Sequence, residues 1–295
     1  MTLEQLRIFI EVAERQHLTQ AAAALSLTPS AVSSSIKALE ERYGTALFDR
    51  VGRGIVTNAA GRIFLAEARR TLASARAAEL ALTELGSLQR GALAIHASQT
   101  IASYWLPPLL VRFGQLYPAI ALTLVVDNTE KVAEAVMQGQ ADLGFVEGIA
   151  EEGSLAATPV GEDRLVIVVG GGHPWADGRP LDKDELLGAR WIMREAGSGT
   201  RAVFEAALTA LGVPLDALKV ALALPSNEAV RSAVMAGSFA GALSELVVAP
   251  HLQAGLLVQA NLALPARQFS MLRHPERHQG RAAAAFADLV RGQAS

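Results

Sequence analysis

The sequence predicts an α/β protein in three parts: a small helical head with a two-stranded wing, one long helix, and an α/β body. Three observations predict it. Apolar residues recur with helical period between well-formed cap signals over residues 2–44. Small and apolar residues then recur at alternating steps of four and three from Phe64 to Leu85. After Gly91, short β-rich runs alternate with helical runs.

The first helix is expected over 3–15, with Leu3, Leu6, Ile8, Phe9, Val12 and Ala13 on one face. Thr2 and Gln5 have the spacing of a capping box. A second helix is expected over about 18–25 and a third over about 29–43. Thr28 can cap the third, and Pro29 stands where a missing N–H costs nothing. Gly44 ends it. Ala31, Val32, Ile36 and Leu39 are assigned to its buried side, and Glu40 to a structural partnership.

Residues Leu47 to Thr57 place Gly52 and Gly54 at a turn flanked by Arg50 and Arg53, which reads as a wing. Together these elements make a winged helix-turn-helix. The third helix opens with small hydroxyl residues, as a major-groove reading helix needs, so DNA is the first partner to consider. Its outer face carries Thr28, Pro29, Ser30, Ser33, Ser34 and Lys37. Hydroxyls can bond base edges or phosphates, and a proline ring can touch a thymine methyl. Thr28 and Lys37 suit phosphate; Arg50 and Arg53 can reach the backbone or a narrow minor groove.

From about 58 to 88 the pattern is helical and alanine-rich. Phe64, Ala68, Thr71, Ala75, Ala78, Leu82 and Leu85 form a seam whose natural cover is the same helix of a second subunit. The organisation is therefore 1–61 head, 62–90 linker and dimerisation helix, and 91–295 body. The body is read as α/β with mainly parallel strands, long enough for two lobes. Strands are expected at 92–96, 120–126, 143–146, 165–169, 191–193, 220–224, 256–258 and 268–272. The glycine run after Val169 is expected near a lobe crossing.

Composition limits the function classes. Net charge is −3, with 26 Lys and Arg against 29 Asp and Glu, so the chain is not a globally basic nucleic-acid protein. The head is mildly basic and the rest acidic. Cysteine is absent, which excludes disulfides, thiol redox sensing and Cys-ligated zinc. No histidine pair has metal-site spacing with a carboxylate partner, so no metal is expected. Met1 leads directly into an amphipathic helix and no apolar run approaches membrane length, so a cytoplasmic protein is expected.

Two body loops have the chemistry of a small-anion site. Ser98-Gln99-Thr100 follows one strand and precedes a helix. Arg194-Glu195-Ala196-Gly197-Ser198-Gly199-Thr200-Arg201 does the same. Each offers hydroxyls and backbone N–H groups at a helix N-terminus, and Gly197 and Gly199 let the backbone curl around a small group. Neither a Walker loop nor a Gly-x-Ser-x-Gly elbow is present. No catalytic residue is assigned, and the protein is read as a non-enzyme.

The head resembles the DNA-binding domain of the LysR-type transcriptional regulators. The match runs through Leu6, Phe9, Val12-Ala13-Glu14, Ala21-Ala22, Leu25, Ala31-Val32-Ser33, Ile36, Leu39-Glu40, Gly44, Leu47-Phe48, Arg50, Thr57 and Ala60-Gly61. The family often has glutamine at Pro29 and at Ser35, and neither residue here can read adenine bidentately. The resemblance continues through Ala97 to Ile101, Asn128-Thr129-Glu130, Gly144 to Gly148 and Arg194 to Arg201, which are most like the sulfur-metabolism branch.

That resemblance implies a two-lobed effector domain of periplasmic-binding-protein type, with lobe I at about 91–162 plus 268–295 and lobe II at about 163–267. It implies a small anionic effector between the lobes: sulfite, sulfate or another oxyanion, or else a small carboxylate. The implied contacts are Ser98, Thr100, Asn128, Gly197, Ser198, Gly199, Thr200 and Asn227. Glu147 is expected at the same strand ends, orienting Arg194 or another donor. Double-stranded DNA, a homodimer through the linker and a homotetramer are the implied partners. The function expected is an effector-controlled, sequence-specific transcriptional regulator. The alternative is a solute-sensing module acting through protein partners.

Overall fold

The structure, a computed structural model, describes residues 1–52, 54–83, 91–148 and 155–292. It divides into two compact units, one built on the N-terminal elements and one on the α/β elements that follow.

Local chemistry sets the head's boundaries. Helix α1 (Leu3–Arg15) starts at the Thr2–Gln5 capping box, with both reciprocal bonds made, and buries Leu6, Ile8, Phe9, Val12 and Ala13. Leu3 departs from the expected face and is 47% exposed. Helix α2 (Leu18–Ala24) is followed by a turn in which Ser26 adopts φ 56°. Helix α3 (Pro29–Tyr43) is capped by the Thr28 hydroxyl, which accepts from the Ala31 N–H at 3.2 Å, and stops at Gly44 with φ 62°. The wing pairs β1 (Phe48–Val51) with β2 (Gly54–Thr57) in antiparallel register. Glu40 anchors it: its Oε1 accepts from the Leu47 N–H at 2.7 Å.

Helix α4 (Ala59–Thr83) begins against this head. Phe64 stacks on Phe9, ring centroids 4.7 Å apart, and Ala68 is buried in the same apolar cluster. The first part of the expected seam therefore closes its own head. Thr71 and Ala78 stay exposed and Ala75 half-buried, while Ile63, off the seam, is 71% exposed. The side chain of Leu82 and all of Leu85 lie outside the described residues.

The second unit is built on nine hydrogen-bonded strands. In chain order its elements are β3 (Gly91–Ser98), a π-turn (Ile101–Trp105), α5 (Leu106–Leu116), β4 (Ile120–Asp127), α6 (Thr129–Gln138), β5 (Leu143–Glu147), β6 (Ala156–Val169) and α7 (Lys183–Gly188). They continue with β7 (Arg190–Arg194), α8 (Gly199–Ala210), β8 (Lys219–Leu224), α9 (Asn227–Met235), β9 (Ala240–Ser244), α10 (Glu245–Gln253), β10 (Val258–Gln259), β11 (Ala266–Arg273) and α11 (Arg281–Arg291). The strand order is β4-β3-β5-β11-β6-β9-β7-β8, with β10 on β6.

Two strands join the lobes. The first part of β6 pairs with β11, and its last five residues, Leu165–Val169, pair with β9. The chain crosses out on β6 and returns on β11, so both run antiparallel to their neighbours. Among the named strands of the described residues, β3 pairs in parallel with β4 and β5, and β7 with β8 and β9. The sheet is thus mixed and not mainly parallel. The glycine turn after Val169 closes the far end of β6; the crossing itself is at Asp163–Leu165.

Each lobe buries its own core. In the first, Leu93, Ile95, Phe113, Phe145, Phe269 and Phe286 pack between sheet and helices. In the second, Trp175, Trp191, Phe204 and Leu208 do so, and the Trp191 indole N–H donates to the Leu186 carbonyl at 2.9 Å. The C-termini of β3 and β5 in the first lobe and of β7 in the second, which runs the opposite way, consequently bring Ser98, Glu147 and Arg194 to the facing edges of the two lobes, where ligands of open α/β folds bind.

Candidate functional site

On the head, α3 buries Val32, Ile36 and Leu39, spaced as one helical face. Ala31 is exposed, contrary to expectation, because it stands one residue before that face and turns outward with the first helical turn. Thr28, Pro29, Ser30, Ser33, Ser34 and Lys37 are all exposed, as is Arg50 on β1. Lys37 pairs with Glu41 at 3.5 Å across one helical turn, a solvent-screened contact that a phosphate can replace. Ser35 is half-buried. Arg53 lies outside the described residues.

In the body, the residues of the two candidate loops fall into one connected polar network between the lobes. Ser98 ends β3, is 2% exposed, and among the described residues its Oγ has no hydrogen-bond partner. Thr100 is fully buried, and its Oγ1 accepts from Asn227 Nδ2 at 3.0 Å. Asn227 opens α9. Its backbone N–H donates to Gln99 Oε1 at 2.6 Å, and its Oδ1 accepts from Arg194 Nη1 at 2.5 Å. Asn227 therefore spends its polar atoms on tying lobe II to Thr100.

Arg194 grips Glu195 with two bonds, 2.8 and 2.9 Å. Burial alone would raise the Glu195 pKa, but the bonds and charge of Arg194, with smaller help from its own backbone and Asn128, hold it below the usual carboxylate range. The pair stays ionised and mutually neutralised at pH 7.

The Gly-Ser-Gly-Thr loop meets the start of α6. The Glu130 N–H donates to the Gly197 carbonyl at 3.2 Å, and the Gly199 N–H donates to Thr129 Oγ1 at 3.1 Å. Asn128 caps α6 through the Lys131 N–H at 3.0 Å and reaches the Ala196 carbonyl at 3.5 Å. Gly197 needs its glycine for its φ of +82°, and a Cβ there would also push aside the Glu130 carboxylate, whose Oε2 would lie 2.5 Å away. Ser198 is the N-cap of α8 without a side-chain capping bond, and Thr200 is 2% exposed.

Under this loop lies an arginine that no sequence signal singled out. Arg267 forks onto Asp163 Oδ2 at 2.8 and 2.6 Å and donates from Nη1 to Thr200 Oγ1 at 3.0 Å. Asp163 also accepts from the Ser244 hydroxyl at 3.0 Å. Glu147, 3% exposed, has Arg267 at 4.0 Å and the Thr129 hydroxyl at 3.5 Å. Its cationic neighbour is thus Arg267 and not Arg194.

Sequence reading also missed Gln99, Thr129 and Glu195 as members of the network. Asp163 and Arg267 stand in polar stretches of β6 and β11, and their facing positions emerge only from the strand register. Among the described residues, no three His, Cys, Asp or Glu side chains could hold a metal ion, and no helix is long and apolar enough to cross a membrane.

An exposed reading helix beside a wing, joined to a two-lobed body with a buried polar cleft, defines an effector-responsive DNA-binding protein. Residues 3–62 match the bacterial regulatory helix-turn-helix model of the lysR family, and residues 86–295 match the LysR substrate binding domain. The chain belongs to the LysR family of transcriptional regulators, and it is a DNA-binding regulator with an effector-binding domain.

Over 290 residues it is 36% identical to the uncharacterized HTH-type transcriptional regulator YeiE of Escherichia coli K12, covering 98% of this chain and 96% of YeiE. Its fold is similar to that of full-length CbnR crystallised with target DNA, with TM-score 0.69, 22% identity and all of both chains covered. The regulatory domain of Synechocystis PCC6803 CcmR, solved with 2-PG, is similar over 70% of this chain and 98% of its own length, with TM-score 0.63 and 26% identity.

Proposed function

We propose that the regulator responds to a compact oxyanion held between the lobes by Ser98, Thr100, Asn128, Gly197, Ser198, Gly199 and Thr200, with Asn227 and Glu147 setting their positions. The observation that carries this reading is the buried Ser98 hydroxyl, without a partner among the described residues, together with the buried Thr100 and Thr200, whose side-chain bonds to Asn227 and Arg267 use their oxygens as acceptors. A buried unsatisfied hydroxyl costs about 1–3 kcal/mol, and an acceptor-rich ligand removes that cost. Both nearby arginines are already neutralised by carboxylates, so hydroxyl and backbone dipoles supply the attraction. Sulfite or sulfate is the leading candidate and a small carboxylate the second. The likeness to a CcmR regulatory domain solved in complex with 2-PG supports a small-molecule effector.

The DNA contacts of this reading are Thr28, Pro29, Ser30, Ser33, Ser34, Lys37, Arg50 and Arg53. The acting species is a cytoplasmic homodimer joined through α4, assembled into a tetramer. Effector binding favours one lobe arrangement, alters how subunits pack, and so changes the spacing of the DNA heads.

Thermal unfolding of the full chain with sulfite, sulfate, phosphate, thiosulfate and small carboxylates tests the cleft. At least one oxyanion should raise the melting temperature. Ser98→Ala should weaken that ligand about tenfold while leaving the ligand-free protein no less stable, because it deletes an unsatisfied group. No shift with any oxyanion would sink the assignment. For the head, Lys37→Ala should lower the slope of log affinity against log salt by about one. A salt-independent wild-type affinity would argue against phosphate contacts altogether.

A further inference from the structure

We propose that Arg267 is a positioning residue for effector specificity: it fixes the Thr200 hydroxyl as a hydrogen-bond donor toward the cleft. The proposal rests on the oxyanion reading above and adds where the ligand must place its hydrogen-bond acceptors.

A hydroxyl has one proton to donate and two lone pairs to accept with, whereas a guanidinium only donates. The 3.0 Å bond from Arg267 Nη1 to Thr200 Oγ1 therefore uses the oxygen as acceptor and sends the proton elsewhere. Among the described residues, no hydrogen bond uses that proton. Arg267 cannot turn away, because the same guanidinium is forked onto Asp163, its direct cross-strand partner, and is almost fully buried.

Thr100 repeats the device with different parts. Arg194, another pure donor, must face the Asn227 carbonyl oxygen, so the Asn227 amide nitrogen faces Thr100 Oγ1 and forces it to accept. With the Ser98 hydroxyl, which has no partner among the described residues, three buried O–H groups are left to donate between the lobes. A ligand that meets all three must offer hydrogen-bond acceptors there. The occupant implied is acceptor-rich, as an oxyanion is, and a ligand with an ammonium or amide N–H at one of these points leaves a donor facing a donor.

A double-mutant cycle on the full chain tests the Arg267 link, using the oxyanion that gives the largest wild-type thermal shift and reading its affinity by calorimetry. Thr200→Val deletes the donor and should weaken binding about tenfold. The pair Asp163→Asn with Arg267→Gln removes both buried charges together and withdraws the donor from Thr200 Oγ1. The Thr200 hydroxyl is then free to turn its proton away from the cleft, so the pair should weaken binding by a similar factor.

Combining the pair with Thr200→Val should cost no more than Thr200→Val alone, because the donor has already been lost. Arg267→Lys, which keeps a donor, should retain most of the affinity. Losses that multiply overturn the proposal, since a merely structural arginine would act independently of Thr200. Thr200→Val needs no change at the crossing and judges the claim even if the amide pair misfolds: unchanged affinity overturns it. If no oxyanion binds the wild type, the cleft reading itself has failed, which is a different result.

Discussion

Replacing Gly61 by alanine is expected to destroy DNA binding while leaving the effector domain folded. Helix propensity points the other way, since glycine to alanine inside a helix ordinarily gains about 1 kcal/mol. Packing decides the sign. A Cβ on Gly61 would lie 2.1 Å from the Leu47 carbonyl oxygen and 2.7 Å from Thr57 Cγ2. The Leu47 carbonyl cannot retreat easily, because it accepts from the Asn58 N–H at 3.1 Å while the N–H of the same residue is held by Glu40 at 2.7 Å.

Gly61 itself is pinned through its N–H to Asn58 Oδ1 at 2.9 Å. The first turn of α4 and the base of the wing must therefore separate. Overpacking of this kind costs about 1–3 kcal/mol, and contact with backbone places this case at the upper end. A head of this size loses about 4–8 °C of melting temperature per kcal/mol. Circular dichroism should show a lowered first transition, and anisotropy on DNA fragments selected by the wild type should show lost affinity. Wild-type melting and affinity in Gly61→Ala would contradict the steric argument.

The head was largely legible because its signals are local. The Thr2–Gln5 box, the Thr28-Pro29 start and the Gly44 stop each act within four residues, and each stands where it was read. The seam on α4 was legible as a pattern but not as a destination: Phe64 and Ala68 have the spacing of a coiled-coil stripe, yet the nearest apolar surface is Phe9 on the same chain.

In the body, strands with branched apolar runs were found, whereas β9 was not. Its sequence Ala-Gly-Ala-Leu-Ser has little intrinsic strand preference and is a strand because it is buried between β6 and β7. The early part of β6, rich in charge, was missed because it serves as a crossing between lobes and not as a core strand. Hydroxyls and glycines at helix starts pointed to the loops that the fold brings into the buried polar network. The Asp163–Arg267 pair beneath it depends on register between strands about a hundred residues apart in sequence, which no local pattern encodes.

Gly199→Ala is expected to cost the effector site at least tenfold in affinity while leaving both lobes folded. Gly199 is the first residue of α8, where an alanine would meet no obstacle from its own helix. The obstacle is lobe I. A Cβ would stand 2.5 Å from Thr129 Oγ1 and 2.7 Å from the backbone oxygen of Glu147. Thr129 can rotate, but that abandons the 3.1 Å bond it accepts from the Gly199 N–H and leaves a buried donor unsatisfied.

The Glu147 backbone cannot rotate away, because it ends β5, whose ladder with β11 includes the Glu147–Phe269 pair. The relief left is withdrawal of the α8 N-terminus from lobe I, which carries Thr200 off its partner and opens the cleft. The substitution thus selects the open arrangement, and the ligand must supply the closing energy before it binds. Gly171→Ala, at a turn with nothing within 4 Å of its Cβ position, is the matched control and should bind as the wild type. Calorimetry with the oxyanion that stabilises the wild type reads the difference, and small-angle scattering reads the opening. Equal affinity in Gly199→Ala would mean that the contact between α8 and the end of β5 plays no part in holding the effector.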